Sequence, residues 1–439
     1  MIATIRTSWP LLLGMLLLML GNGLQGTLLG VRGDIEGFDP GLLSYVISAY
    51  FLGFLGGSRM APVMIRRVGH VRVFAAMASL ISAAFILYAA WPNLVFWGAM
   101  RLLVGFCFSC VYVVAESWLN DASDNENRGK ALSVYVIVQM IGIVVAQGAL
   151  GLADPAGYEL FVLISVLVSI SFAPILLSVS PAPHYEATKP MTLGELFNVS
   201  PLGFVGSFAL GAIFSALFGM SSVYGTQSGL SLNQIATFVA AIYVGGMLLQ
   251  FPIGWASDRV DRRILIVGVT AASTLACVVA MIFGDEPTVV IVMAFLIGGT
   301  ANPLYSLLIA HTNDYLNHED MAAASSGLVF IGGVGAVGGP VIVGQMMDHL
   351  GPSGFYLYMG IIMGAVSLYG LYRMTRRAAV PVDETGPYAI ISPSASPYAA
   401  EMTQEYVVEQ IIAEEEAELE AESQSEEELG QTVTDSTKS

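Results

Sequence analysis

Charge is scarce in this sequence. Asp, Glu, Lys and Arg together make up 12% of its 439 residues, against roughly 25% in a soluble globular domain, and that excludes an ordinary water-exposed enzyme. Cysteine is scarcer still: Cys107, Cys110 and Cys277 are the whole supply, too few for a disulfide-built fold. Cys107 and Cys110 have a Cys-x-x-Cys spacing, but they lie in an apolar run with no His or acid beside them. They read as packing residues, and no metal site is expected. A Gly-Lys-Ser/Thr phosphate loop is missing, which argues against ATP drive by this polypeptide. No stretch outside the apolar segments is large enough for soluble catalytic machinery, so neither an enzyme, a cofactor nor a nucleic-acid partner is expected.

What is present is apolar surface. Hydrophobic residues make up 55% of the chain, Gly occurs 47 times, and the mean hydropathy is +0.70. A formal net charge of −17 conflicts with that picture until the acids are located. From Val380 to Ser439 there are fifteen Asp and Glu against one basic residue, Lys438. The first 379 residues are nearly balanced, with nineteen acids and sixteen Lys or Arg. An apolar body is therefore joined to an acidic tail near residue 380.

A helix that crosses the hydrocarbon needs about 20 mostly apolar residues, and lipid offers no partner for a free backbone group. Cut at clusters of charge, Pro and Asn, the body divides into twelve such segments, from 9–31 through 354–376. Arg6 precedes an apolar run, Leu11 to Leu20, but no small-residue cleavage site follows, so this segment reads as a retained first span. With the amino terminus inside, thirteen basic residues of the body fall on the inner side and only Arg32 on the outer. Basic loops mark the cytoplasmic side, so both termini are expected there.

Four regions follow: a six-helix bundle over 1–179, a linker over 180–200, a second six-helix bundle over 201–377, and a largely disordered tail over 378–439. The linker is rich in Pro and polar residues. The tail contains Glu414-Glu415-Glu416 and Glu426-Glu427-Glu428 and few apolar residues, with one exposed helix expected over 402–419. Sliding one half over the other gives a recurrent offset of 193 residues, at which Tyr50 meets Tyr243, Gly53 meets Gly246, Gly105 meets Gly298 and Tyr112 meets Tyr305. The fold class is thus all-α integral membrane, with twelve transmembrane helices in two pseudo-symmetric six-helix bundles.

The loop after the eighth segment reads Gly254-Trp255-Ala256-Ser257-Asp258-Arg259-Val260-Asp261-Arg262-Arg263. It resembles the short loop motif of the major facilitator superfamily, Gly-x-x-x-Asp-Arg-x-Gly-Arg-Arg, with Asp261 where Gly is usual. The matching loop after the second segment, Arg66-Arg67-Val68-Gly69-His70-Val71-Arg72, is a degraded copy with Arg66 in place of the acid. Arg101-Leu102-Leu103-Val104-Gly105 and Arg128-Gly129-Lys130-Ala131 are similar to further signatures of the superfamily, and Glu116-Ser117-Trp118-Leu119-Asn120 resembles its YcaD-like branch. At the place in the fifth segment where antiporter members carry Gly-Pro, this chain has Ala146-Gln147; Gly339-Pro340 stands in the eleventh.

The resemblance implies a central pathway lined by the first, fourth, seventh and tenth helices. Polar side chains inside the segments supply the candidate cavity: Asn22, Gln25, Arg101, Tyr112, Gln139, Gln147, Tyr224, Gln227, Asn302 and Tyr305. For each of them a helix-to-helix hydrogen bond is the competing role. An arginine as deep as Arg101 costs about 2.5–3.5 kcal/mol on insertion scales and should face the bundle or a wet cavity. The expected cytoplasmic gate comprises Arg66, Arg67, Glu116, Arg128, Asp258, Arg259, Arg262, Arg263 and His311, with Glu116 pairing with Arg128 or Lys130 or else binding a proton. Gly335, Gly339 and Pro340 are expected to let the eleventh helix flex.

The functional expectation is a monomeric secondary active transporter of the cell inner membrane. It would move a small molecule by alternating access, with H⁺ as driving ion by resemblance and efflux as one direction. A uniporter or importer is the alternative. A receptor or scaffold signalling through the acidic tail, which could bind a basic partner, is the rival from another class.

Overall fold

The computed structural model describes the backbone of residues 2–121, 125–176, 191–382 and 385–412, and the side chains of 8–120, 131–176, 191–382 and 385–412. Among the described residues, twelve helices are long and apolar enough to cross a membrane: Ser8–Ile35, Pro40–Val68, His70–Ala90, Leu94–Asn120, Ala131–Leu152, Glu159–Leu176, Pro201–Gln227, Leu232–Ser257, Arg262–Ile282, Pro287–Asn313, His318–Leu350 and Ser353–Met374. No strand occurs among the described residues. The expected segments are all recovered, mostly a few residues longer, because helices continue past the apolar core into their caps. Pro40, Pro201 and Pro287 open three of them at the first turn, where a missing N–H leaves no hydrogen bond unmade. Gly69 and Gly229, at φ +85° and +70°, end two spans in a conformation that other residues adopt with strain.

Packing follows the duplication. Within the first half, the second span packs against the fourth, the first against the fifth, and the third against the sixth. Six spans on, the eighth packs against the tenth, the seventh against the eleventh, and the ninth against the twelfth. Small residues make the closest of these contacts. Gly105 abuts the carbonyl of Tyr50, and its counterpart Gly298 abuts that of Ile242, with no room for a methyl group at either. The halves meet along the second and eleventh, fifth and eighth, and first and seventh spans.

The two faces of the bundle differ. Arg66, Arg67, Arg72, Arg259, Arg262, Arg263, Arg373, Arg376 and Arg377 end or begin spans on one side, called here the basic face. Toward the opposite face the halves close directly on each other: Gly30 meets Ser222, Gly344 meets Ser44, and Gly41 meets Gln345 and Asp348.

Two regions depart from the sequence expectation. In the linker, Leu193–Val199 forms a short helix, because Thr192 and Glu195 make a reciprocal capping box; residues 177–190 lie outside the described residues. The larger departure is the tail. Residues 385–412 fold back onto the basic face, with 397–412 helical, and bury Ile391, Ser396, Ala400, Met402 and Val407. The tail averages as acidic only because ten of its fifteen acids fall in 413–439. The helical stretch instead alternates a buried face, Ala400, Gln404 and Val407, with Glu401, Glu405 and Glu409 on the other. The acidic runs at 414–416 and 426–428 lie outside the described residues.

Candidate functional site

One cavity of about 150 Å³ lies between the two halves at mid-depth, and residues 392–395 and 397 of the returning tail form part of its wall. Of the polar side chains expected there, Asn22, Arg101, Tyr112, Gln139, Gln147, Asn302 and Tyr305 line it. Gln25 lies one layer back, where its Oε1 accepts a 2.6 Å hydrogen bond from Arg101 Nη1. Gln147 is a helix tie as well as a wall: its Oε1 accepts from Thr27 Oγ1 at 2.7 Å and its Nε2 donates to the Ile143 carbonyl at 3.0 Å.

Two of the expected residues are elsewhere. Tyr224 stacks with Phe355 at 4.9 Å between ring centroids and packs against Phe238 and Tyr356, deep in the second half. Gln227 donates to the Met347 carbonyl at 3.1 Å near the opposite face. Both stand in the last turn of the seventh span, too close to that face to reach the centre.

Seven aromatic rings add to the wall: Tyr50, Phe51, Phe54, Phe214, Phe218, Tyr243 and Phe330. Polarity alone did not single them out. A signal for two of them was nonetheless in the sequence, because Tyr50 and Tyr243 are partners at the 193-residue offset, as are Tyr112 and Tyr305. The duplication thus places two tyrosines from each half on one cavity.

Arg101 is the only cation among the described residues lining the cavity. Its guanidinium lies 4.9 Å from the Tyr50 ring centroid, and the residue is only 6% exposed. Among the described residues no carboxylate pairs with it and its Nε–H has no acceptor. A buried charge held by one amide and one π face keeps unused donor capacity for an acceptor entering the cavity.

At the basic face the loop after the eighth span is a hydrogen-bonded knot. Asp261 caps the ninth span, accepting from Arg263 N at 2.9 Å, and its carboxylate also takes the Arg263 guanidinium at 2.8 Å. Burial pushes the Asp261 carboxyl up, but the hydrogen bonds from Arg263 outweigh it and hold the group below the usual carboxylate range. Arg262 is buried and pairs with Asp314, whose carboxyl burial pushes up to about 6 against the pull of Arg262. Arg263 also donates to the Arg377 carbonyl at 2.7 Å. Arg259 stacks over Trp255 at 4.4 Å on the surface, and Arg66 and Arg67 are exposed at the end of the second span. His311 is buried against Tyr315.

The returning tail reaches two of the expected gate residues. Glu116 accepts from the Ser396 hydroxyl and backbone N–H of the returning tail; the side chains of Arg128 and Lys130, its expected partners, lie outside the described residues. Asp258 accepts from Tyr388 N at 2.9 Å, also in the tail. Gly335 and Gly339, expected to flex, abut the carbonyls of Phe208 and Ala212, and so hold the eleventh span against the seventh.

The comparisons agree with this architecture. The family model described as Major Facilitator Superfamily matches residues 11–249 and 229–403. The chain is 24% identical over 379 residues to the uncharacterized MFS-type transporter YcaD of Escherichia fergusonii, covering 85% of this chain and 97% of that one. It is 25% identical over 379 residues to the YcaD of Escherichia coli O7:K1, covering 84% and 95%. Among solved structures, a D323A mutant of the nucleoside transporter NupG superposes with a TM-score of 0.73 at 13% identity, covering 83% of this chain and 99% of that one. A bacterial homolog of the human lysosomal transporter Spinster, inward-facing and unoccupied, gives 0.63 at 13% identity, covering 92% and 98%. With twelve apolar helices in two repeated bundles around one central cavity, the chain belongs to the Major Facilitator Superfamily, as a YcaD-like, multi-pass membrane transporter of small molecules and not an enzyme.

Proposed function

We propose that this protein is a secondary active transporter whose substrate presents an acceptor-rich, anionic or carbonyl-bearing group to Arg101 and an apolar or aromatic body to the surrounding rings. The observation that carries this reading is the unpaired guanidinium in the cavity wall: Arg101 is buried with an unfilled Nε–H, and no acid among the described residues lines the cavity. Burying a charge without an ionic partner is costly, and a substrate acceptor offsets that cost only while bound. Transport proceeds by rocking of the two bundles about the cavity, with the basic face cytoplasmic, both termini inside, and the inner membrane as location.

Proton coupling is the driving mode of this reading, and Glu116 is its carboxylate. It is 1% exposed, sits one helical turn beyond Tyr112 toward the basic face, and has no ion pair among the described residues. That no acid among the described residues lines the cavity supports the second reading, facilitated diffusion, in which Glu116 serves only as a gate. Flux in proteoliposomes under imposed pH gradients separates the two. A thermal-shift screen of organic anions on the wild type and Arg101→Ala identifies the substrate first. Ligands that stabilise both proteins equally would remove Arg101 from the site.

A further inference from the structure

We propose that the tail segment 386–411 is an autoinhibitory plug, seated in the basic-face mouth of the cavity and tying the two bundles together. The proposal rests on the transport reading for its consequence but on separate observations for its existence.

The segment reaches the cavity itself. Ser392, Pro393, Ser394, Ala395 and Pro397 form part of its wall, so the chain's own backbone occupies the route from the centre to the basic face. The space left, about 150 Å³, matches a cavity that holds one benzene-sized ring. Larger solutes cannot enter from that side while the segment is in place.

Its anchors lie on both bundles. On the first, the buried Glu116 carboxylate accepts from the Ser396 hydroxyl and N–H. On the second, Ser306 Oγ accepts from Ile391 N at 2.9 Å, Asn313 donates to Gln404, and Arg262 donates to the Gly386 carbonyl. Two motif residues of the loop after the eighth span serve the same purpose. Asp258 takes the N–H of Tyr388, and the ring of Tyr388 lies where a side chain at Gly254 would stand, 2.8 Å from its position. For the cavity to open toward the opposite face the bundles must close at the basic face, and the plug fills that space. Direct closure at the opposite face and a wedge at the basic face therefore describe one arrested state.

The anchors are also of a releasable kind. They are hydrogen bonds to a 26-residue segment that enters from the surface, made where a carboxylate and a pair of amides become solvated once the segment leaves.

The test uses the full chain in nanodiscs, where both faces are open to solvent. A reporter thiol, Phe54→Cys, is placed in the cavity wall, and its reaction with a charged methanethiosulfonate is followed by intact mass; the native cysteines are buried and serve as the unreactive background. Adding Ser396→Asp sets a second carboxylate against Glu116 and should raise the labelling rate about tenfold or more. Pre-formed cross-linking of Asn313→Cys to Gln404→Cys in that background should return the rate toward the parent value, and reduction should release it again. The cross-linked pair also covers the case in which Ser396→Asp is poorly folded, since locking alone must slow labelling in the otherwise unaltered reporter. Equal rates with and without Ser396→Asp in folded protein, or a cross-link that leaves labelling unchanged, would overturn the plug. Neither rate depends on a substrate, so the transport reading stands or falls separately.

Discussion

Arg101 Nη1 donates to Gln25 Oε1 over 2.6 Å, joining the fourth span to the first at the edge of the cavity. Both side chains are buried, and this amide is the one hydrogen-bond acceptor of the guanidinium among the described residues. Gln25→Leu should strip a buried charge of that acceptor and lower stability by about 1–3 kcal/mol. Unfolding of the purified variant measures it; an unchanged transition would mean that water or lipid headgroups already satisfy the group.

Arg101→Lys keeps the charge but removes the planar fork and the stack on Tyr50. Substrate flux should fall about tenfold or more, equivalent to ~1.4 kcal/mol of lost interaction, while membrane insertion stays intact. Flux equal to wild type, at equal protein per vesicle, would show that charge alone suffices there.

Gly105 has the backbone carbonyl of Tyr50 in the place of a side chain, whereas a methyl group at Gly98 meets nothing within 4 Å. Gly105→Ala must push the second and fourth spans apart and should destabilise by about 1–3 kcal/mol. Gly98→Ala on the same helix should be neutral or stabilising by up to about 1 kcal/mol. Thermal unfolding of the two variants in one detergent gives the contrast.

Asp261 stands where the superfamily motif carries Gly, and it both caps the ninth span and holds Arg263. Asp261→Gly, although it restores the family pattern, should cost about 1 kcal/mol, a few tenths of it from the lost cap and the rest from the lost pairing with Arg263. Because its folded pKa is lowered, the contribution of Asp261 is present above the unfolded value near 3.8 and is lost as pH falls. The gap between wild type and Asp261→Gly should therefore narrow on acidification.

Asp314 has the opposite sign. Its carboxyl is raised from 3.8 to about 6, so its titration favours the folded state most below pH 4 and that advantage is lost as pH rises through 6. Asp314→Asn should remove that slope from the stability profile between pH 4 and 6. The same slope in both proteins would assign it to another group.

Much of the architecture was legible because lipid imposes a length and a composition on every span. The twelve segments, their grouping in sixes and the basic face follow from apolar runs, a 193-residue offset and the placement of arginines. The cavity was half legible. Arg101, Tyr112, Asn302 and Tyr305 were found because a polar group inside an apolar helix stands out, while Phe51, Phe54 and Phe214 were not, because a phenylalanine facing a cavity and one facing lipid look alike in sequence. Tyr224 and Gln227 show the converse: polarity marked them, but depth along the helix put them elsewhere.

By itself, then, the sequence determined what the bilayer selects for: helix count, helix length, the sidedness of charge and the separation of an apolar body from an acidic end. Only the tertiary structure decided which faces meet across the cavity and where the first part of the tail goes. The reason is physical. Burial of Ile391, Ser396 and Met402 depends on a mouth built from Glu116, Asp258, Ser306 and Asn313, residues that lie 78 to 286 positions earlier and converge only when both bundles are packed.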